Sequence, residues 1–159
     1  MPNLVGVCEL GTPADVLQPV LQKMIDAVDL PAFSMARRSV CGRGVAVGNV
    51  LPGTEDNLSQ PARDAERGVW LMLDGELWNA PDVARALRVE GVDASRLDDA
   101  QLALAAYRAW GESFVDRLQG PWNIVLHHEA ERRTVVITDR IGSRLLFMAR
   151  DGARVTFGS

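Results

Sequence analysis

The order of apolar runs along this chain predicts an α+β fold built on antiparallel sheet, not a doubly wound parallel one. Three observations carry that expectation. Short strand-like runs come first. Segments with helical periodicity fill the middle. Four short β-branched or apolar runs, separated by charged turns, close the chain as a β-meander.

Taken in order, Leu4 to Cys8 is short and apolar enough for a strand, and Gly11-Thr12 ends it. Thr12, Pro13 and Asp15 supply a hydroxyl cap, a first-turn proline and a first-turn acid. They open a helix whose apolar residues would be Val16, Val20, Leu21 and Met24. Pro19 removes an interior hydrogen bond, so the helix is expected to kink there or to begin near it. Residues 29 to 43 show no regular pattern. Gly44 to Val47 reads as a short strand, and the Pro, Gly, Asn, Ser and charges of residues 52 to 68 read as a surface loop. Val69 to Leu73 is a compact strand running into Asp74-Gly75.

Asn79 can cap a helix through Val83 and Leu87 that stops near Gly91. Asp98 can cap the next, with Gln101 as its capping-box partner and Leu102, Ala105, Ala106 and Ala109 as the apolar face. Phe114, Val115 and Leu118 form one more short helix, ended by Gly120. The closing runs are Trp122 to Leu126, Thr134 to Thr138, Leu145 to Ala149 and Arg154 to Phe157, with Asp151-Gly152 as a hairpin turn.

The 159 residues suit a single domain spanning the whole chain, 1–159. With 47% hydrophobic and 24% charged residues, the composition is that of a globular protein able to bury a core without staples. The net charge of -4 and the absence of a basic stripe argue against nucleic acid as a partner. The N-terminus has no signal-peptide pattern and no run is long enough for a bilayer, so no membrane is expected and the cytoplasm is the expected compartment. Two cysteines, Cys8 and Cys41, are too few for a disulfide framework. His127 and His128 are adjacent and would point to opposite faces of a strand, a poor metal site and better read as surface or edge residues. No metal and no cofactor is expected in this domain.

Several segments carry a resemblance. They are Leu73-Asp74-Gly75-Glu76-Leu77-Trp78-Asn79, then Asp98-Asp99-Ala100-Gln101 with Ala106-Tyr107-Arg108-Ala109-Trp110-Gly111. Next come Phe114 to Trp122, and Thr138-Asp139-Arg140-Ile141-Gly142 with Leu145-Leu146-Phe147. In this order and spacing they resemble the N-terminal class II glutamine amidotransferase domain of the asparagine synthetase family. The final Thr156-Phe157-Gly158-Ser159 is similar to that domain's closing F-A-S. The match is good over residues 66 to 159 and weak over the first 65.

The resemblance implies an N-terminal-nucleophile hydrolase architecture, an αββα sandwich of two mostly antiparallel sheets with flanking helices. It also implies a chemistry: an N-terminal cysteine activated by its own α-amino group attacks the side-chain amide of glutamine. The stretch similar to the family's C-G-I-x-G is Val5-Gly6-Val7, which puts Val5, with no nucleophile, where the cysteine belongs. Asp74 stands where the family's oxyanion-hole asparagine does. Gly75, which matches the glycine whose N–H is the other donor, is retained. An ionised carboxylate accepts hydrogen bonds and cannot donate them, so Asp74 would oppose an oxyanion. Glu76 and Asp99 match the acids that hold the substrate's α-ammonium group. Gly48-Asn49-Val50-Leu51 resembles the family's H-x-R-L, leaving Val50 in place of the carboxylate-binding arginine.

The implied reading is a degenerate domain that supports an ATP-dependent, amide-forming synthetase domain or subunit without releasing ammonia. The synthetase domain is not in this sequence, no ATP or magnesium site is legible, and a homodimer stays open. Two alternatives stand beside it. One is an active glutaminase with Cys8 as nucleophile after removal of the first seven residues. The other is an amino-acid sensor that grips an α-ammonium group with Glu76 and Asp99. Taken alone, Cys8 and Cys41 read as buried structural cysteines, Asp139 and Arg140 as an internal ion pair, and Trp70, Trp78, Trp110 and Trp122 as core or interface residues.

Overall fold

A computed structural model describes residues 3–28, 35–52 and 60–159. Among the described residues, nine strands form two sheets that stack face to face. The first sheet runs in the order β2 (Met35–Gly42), β3 (Val45–Pro52), β1 (Asn3–Glu9), β9 (Arg154–Gly158), β8 (Phe147–Asp151). The second runs β4 (Ala62–Asp64), β5 (Val69–Gly75), β6 (Trp122–His128), β7 (Arg133–Thr138). Every neighbouring pair is antiparallel.

Side-chain alternation sorts residues into three apolar layers. Leu4, Val40, Val45, Val47, Trp70, Met72, Val125 and Phe157 meet between the sheets. Val5, Val7, Ala46 and Val50 turn to the other face of the first sheet, against Leu17, Leu21 and Ile25 of α1 (Ala14–Val28). Leu71, Leu73, Trp122 and Ile124 turn outward from the second sheet onto α2 (Ala80–Val89), α3 (Asp99–Trp110) and the 3-10 helix Gly111–Arg117. The result is the helix–sheet–sheet–helix sandwich expected.

Several element-level expectations need correcting. Residues 35–42, expected to be irregular, form an edge strand; its polar Arg37, Arg38 and Ser39 hide the pattern because an edge strand need not be apolar. Residues 29–34 and 53–59 lie outside the described residues, so the irregular segment and the surface loop are only partly seen. Within the expected loop, Ala62–Asp64 is a strand whose Asp64 is buried and meets the Arg108 guanidinium at 3.0 Å. Pro19 sits inside α1 without ending it, and the buried face of that helix is Leu17, Leu21 and Ile25, while Val16 is exposed. Asp98 and Gln101 do form a capping box, but Ala109 is exposed and the buried face of α3 takes in Ala103 and Leu104 instead. Asn79 is the residue before α2 but spends its side chain on Arg117 and Gln119, across the loop, rather than on a cap.

The closing strands are not one meander. β6 and β7 complete the second sheet, and β8 and β9 belong to the first. The chain crosses between sheets after β7, and Asp139 shapes the crossing. Its carboxylate accepts from the backbone N–H groups of Ile141, Ser143 and Trp122 and from the Ser143 hydroxyl. Burial opposes the Asp139 charge, yet these donors outweigh it and hold the carboxyl below its usual range. This replaces the expected ion pair with Arg140, whose side chain is exposed. His127 and His128 do point to opposite faces, but neither is a surface residue. His127 is buried between the sheets, tilted against Trp70 at 5.1 Å and bonded to Thr134 at 2.9 Å. His128 meets the Tyr107 hydroxyl at 3.1 Å.

Two glycines lock the end of β5 to the start of β6. Gly75 has φ +127° and a Cβ there would be driven into the Pro121 carbonyl oxygen; Gly120 has φ +132° and a Cβ would meet the Glu76 carbonyl oxygen. Both positions need glycine for conformation and for space. Gly120→Ala should therefore cost about 3 kcal/mol or more. Gly152→Ala, at a φ of +58° with nothing within 4 Å, should cost about 1 kcal/mol. Urea midpoints measured at unchanged slope check the contrast, and equal losses would refute it.

Candidate active site

The inter-sheet face is apolar along most of its length and turns polar at one end. By alternation with Met72, Asp74 at the end of β5 faces the first sheet; by alternation with Val125, Asn123 of β6 does the same beside it, its register partner being Asp74. Asn49 of β3 follows Val45 and Val47 and faces the second sheet. All three are fully buried.

Asp74 is the centre of this cluster. Arg144, from the crossing loop, clamps its carboxylate with Nε to Oδ2 at 3.1 Å and Nη2 to Oδ1 at 2.9 Å. The Ser159 hydroxyl donates to Oδ2 at 2.9 Å and accepts from the Leu4 backbone N–H at 2.8 Å. Ser159 N–H donates back to the Leu4 carbonyl at 2.9 Å. One carboxylate thus ties β5 to the start of β1 and the end of β9. Behind it, Asn49 donates to the Leu73 carbonyl at 3.0 Å, and the Gln60 amide takes both backbone groups of Leu73 at 2.9 Å, extending the β4–β5 ladder with a side chain. Asn49 Oδ1 and both amide atoms of Asn123 are buried without a partner among the described residues.

Burial pushes the Asp74 carboxyl above its usual range; the Arg144 charge and hydrogen bonds and the Ser159 hydroxyl pull it back without fully offsetting that. Burial likewise raises the Cys8 thiol, with the Thr134 hydroxyl opposing the shift.

The residues singled out in the sequence fall as follows. Asp74 and Gly75 lie at the polar end. Glu76 follows them and is exposed. Asp99, at the start of α3, gives one carboxylate oxygen to the Leu77 N–H at 2.8 Å, so the two acids flank Leu77. Val5 does not face this cluster: it packs toward α1, and Leu4 is the β1 residue that faces the second sheet there. Val50 also turns toward α1, and its neighbour Asn49 takes the inter-sheet position. Cys8 is half-buried at the far end of β1, between Val45 and Val155. Cys41 is half-buried against the α1 layer. Trp70 and Trp122 are core, while Trp78 is exposed. Among the described residues no cluster of three or more His, Cys, Asp or Glu could hold a metal ion, and no helix is long and apolar enough to cross a membrane.

Arg144, Ser159, Asn49 and Gln60 were missed. For Arg144 a signal existed, since it sits between two matched segments and β5 carries an acid on its buried face. Ser159 and Asn49 stand in matched segments but were given no role there, and Gln60 has no signal, because its partner is a backbone group.

Arg144→Met should strip the clamp and leave a buried carboxylate uncompensated, at a cost of about 3–5 kcal/mol at pH 7.5. The sign of the pH effect follows from a raised folded-state pKa. The protonated folded form is favoured, so its stability is present below the unfolded-state value and is lost as pH rises through the folded value. In the variant that value climbs further, and the deficit against the parent should shrink as pH falls from neutral toward the ordinary carboxylate range. Denaturant melts at a series of pH values would show this; a deficit independent of pH would contradict it.

Comparison with known proteins agrees with this architecture. Residues 51–159 match the glutamine amidotransferase domain family. The chain is 30% identical over 89 residues to asparagine synthetase [glutamine-hydrolyzing] 3 of Bacillus subtilis, covering 56% of this chain and 14% of that protein. It is 27% identical over 89 residues to amidase chry2 of Gibberella zeae, covering 56% of this chain and 13% of that one. It therefore spans about one seventh of the length of these relatives. Among solved structures it is similar to the glutamine phosphoribosylpyrophosphate amidotransferase of B. subtilis, with a TM-score of 0.73 at 15% identity over 98% of this chain and 41% of that one. An allosteric regulatory enzyme of purine biosynthesis gives a TM-score of 0.63 at 16% identity over 99% and 36%. At such identities the likeness is one of fold, that of the N-terminal-nucleophile hydrolase amidotransferases. By the match of residues 51–159, more than half its length, this chain belongs to the glutamine amidotransferase domain family.

Proposed function

We propose that this chain is an amidotransferase domain of the asparagine synthetase type that does not hydrolyse glutamine and serves as a structural module for an ATP-dependent, amide-forming synthetase domain or subunit. The observation that carries the reading is the clamp on Asp74. Glutamine hydrolysis needs hydrogen-bond donors aimed at a developing oxyanion. At the end of β5 the side chain is instead a buried carboxylate whose oxygens are engaged by Arg144 and Ser159. It accepts and does not donate.

The nucleophile side supports the same reading. Neither β1 residue at this end, Leu4 or Val5, carries a nucleophile. Cys8, the thiol on β1, lies at the far end of the strand with ladder partners on both sides, and burial raises its pKa rather than activating it. Exposing it as an N-terminus would remove Leu4, Val5 and Val7, all buried, from the central strand of the first sheet. The synthetase partner is proposed by likeness to relatives that are about seven times longer than the matched part of this chain.

The test is ammonia release from glutamine by the purified chain and by Cys8→Ala, with intact mass read on the same material. The expected outcome is an unprocessed N-terminus and no release above the enzyme-free rate from either. Release that disappears in Cys8→Ala would overturn the proposal and make Cys8 the nucleophile.

A further inference from the structure

Outside the inter-sheet cluster, one cavity combines apolar depth with unspent charge. It measures about 410 Å³ and lies on the outer side of the second sheet, between the 3-10 helix, the edge strand β7 and the crossing loop. Its floor is Leu118, Trp122 and Ile137. Its wall is the indole of Trp78, a large aromatic surface left 72% exposed. Three charged residues line it; Asp139 is spent on the crossing loop, while the side chains of Asp116 and Arg140, of opposite sign, make no hydrogen bond or ion pair with another described residue. By contrast, Glu112, Arg133, Asp82, Arg85, Glu9 and Arg154 are all paired with one another. Trp122 adds a buried indole N–H that also lacks an acceptor among the described residues.

We infer that this cavity binds a free amino acid with a bulky apolar side chain. The chemistry follows from the lining. An apolar floor and an exposed indole favour an aliphatic or aromatic group, by area burial and by stacking. An unpaired carboxylate fits an α-ammonium, and an unpaired guanidinium fits an α-carboxylate in a two-pronged hydrogen bond. A molecule carrying both ionic groups beside an apolar tail satisfies every feature at once. An amine or an acid alone would leave one charge at the mouth unused. The volume admits a phenylalanine-sized ligand. The site shares no residue with the Asp74 cluster, so the inference does not rest on the proposed function, and a failed glutaminase test leaves it standing.

Titration calorimetry and intrinsic fluorescence with L-phenylalanine and L-leucine test it, since Trp78 reports directly. Saturable binding with a Kd of about 1 mM or tighter is expected. Phenethylamine, 3-phenylpropionate and N-acetyl-L-phenylalaninamide, which lack one or both ionic groups, should each bind about tenfold or more weakly. Asp116→Asn and Arg140→Gln should each weaken L-phenylalanine by a similar factor at an unchanged urea midpoint, both side chains being exposed. Absence of saturation up to about 10 mM, an affinity at the weak limit of such contacts, would overturn the inference. So would affinity unchanged in both charge variants. Equal binding of the doubly masked amide would also overturn it, and would mark the cavity as a socket for a partner protein's side chain.

Discussion

The constraint on which this molecule depends is a single buried carboxylate. Stacked sheets hold together through apolar interdigitation, which is strong but indifferent to sliding along the strands. Asp74 removes that freedom. It projects from the second sheet, and its charge is met by an arginine from the loop joining the sheets and a serine bonded to the backbone of β1. An ion this deep is tolerated only when paired and hydrogen-bonded, so the partners must arrive together or the cluster does not form. Such an arrangement fixes register more than it adds stability. The raised Asp74 pKa agrees with the small gain in stability, since burial still outweighs its partners.

The helical layer is fastened at the same end by different means. Gly75 and Gly120 allow the β5 exit and the β6 entry to cross with backbone against backbone, and Trp78 N–H then reaches the Gln119 carbonyl. Asp99 takes the Leu77 N–H while standing in the first turn of α3, where an acid also complements the helix dipole. Its role as a first-turn acid and its contact with the Glu76–Leu77 segment are therefore compatible. Asp139 performs the equivalent task for the crossing loop. Three aspartates, each spent on backbone N–H groups or a half-buried arginine, thus shape the rim of the polar end.

Local chemistry was legible in the sequence where a residue's partners are near it along the chain. The capping box of Asp98 and Gln101, the Asp151-Gly152 hairpin and the opposed faces of His127 and His128 all emerged as read. The two-sheet sandwich did not follow from periodicity, because nothing local tells β7 and β8 that they belong to different sheets; the family resemblance supplied it. β2 was lost because an edge strand can be polar, and β4 because three residues carry too little pattern. In the site, Asp74, Gly75 and Asp99 were found as motif positions. The face on which Val5 and Val50 lie was not, since a motif aligns residues along a strand and says nothing of which way each points. Arg144 and Ser159 meet Asp74 from 70 and 85 residues away, and only folding brings them there.

What this end of the sandwich can and cannot do follows from charge accounting at Asp74. A side chain that donates to an incoming oxyanion must be neutral or cationic at its tip and free to point outward. Asp74 is anionic when ionised and turned inward onto Arg144. Protonation would make it a donor, and its raised pKa moves it in that direction. Yet both oxygens already accept hydrogen bonds from the guanidinium, and the neighbouring Arg144 charge favours the ionised form. The interaction that ties the sheets together thus uses this side chain as an acceptor. Converting Asp74 to asparagine would remove the carboxylate that the Arg144 guanidinium and the Ser159 hydroxyl engage, so those hydrogen bonds would be lost or remade on the amide.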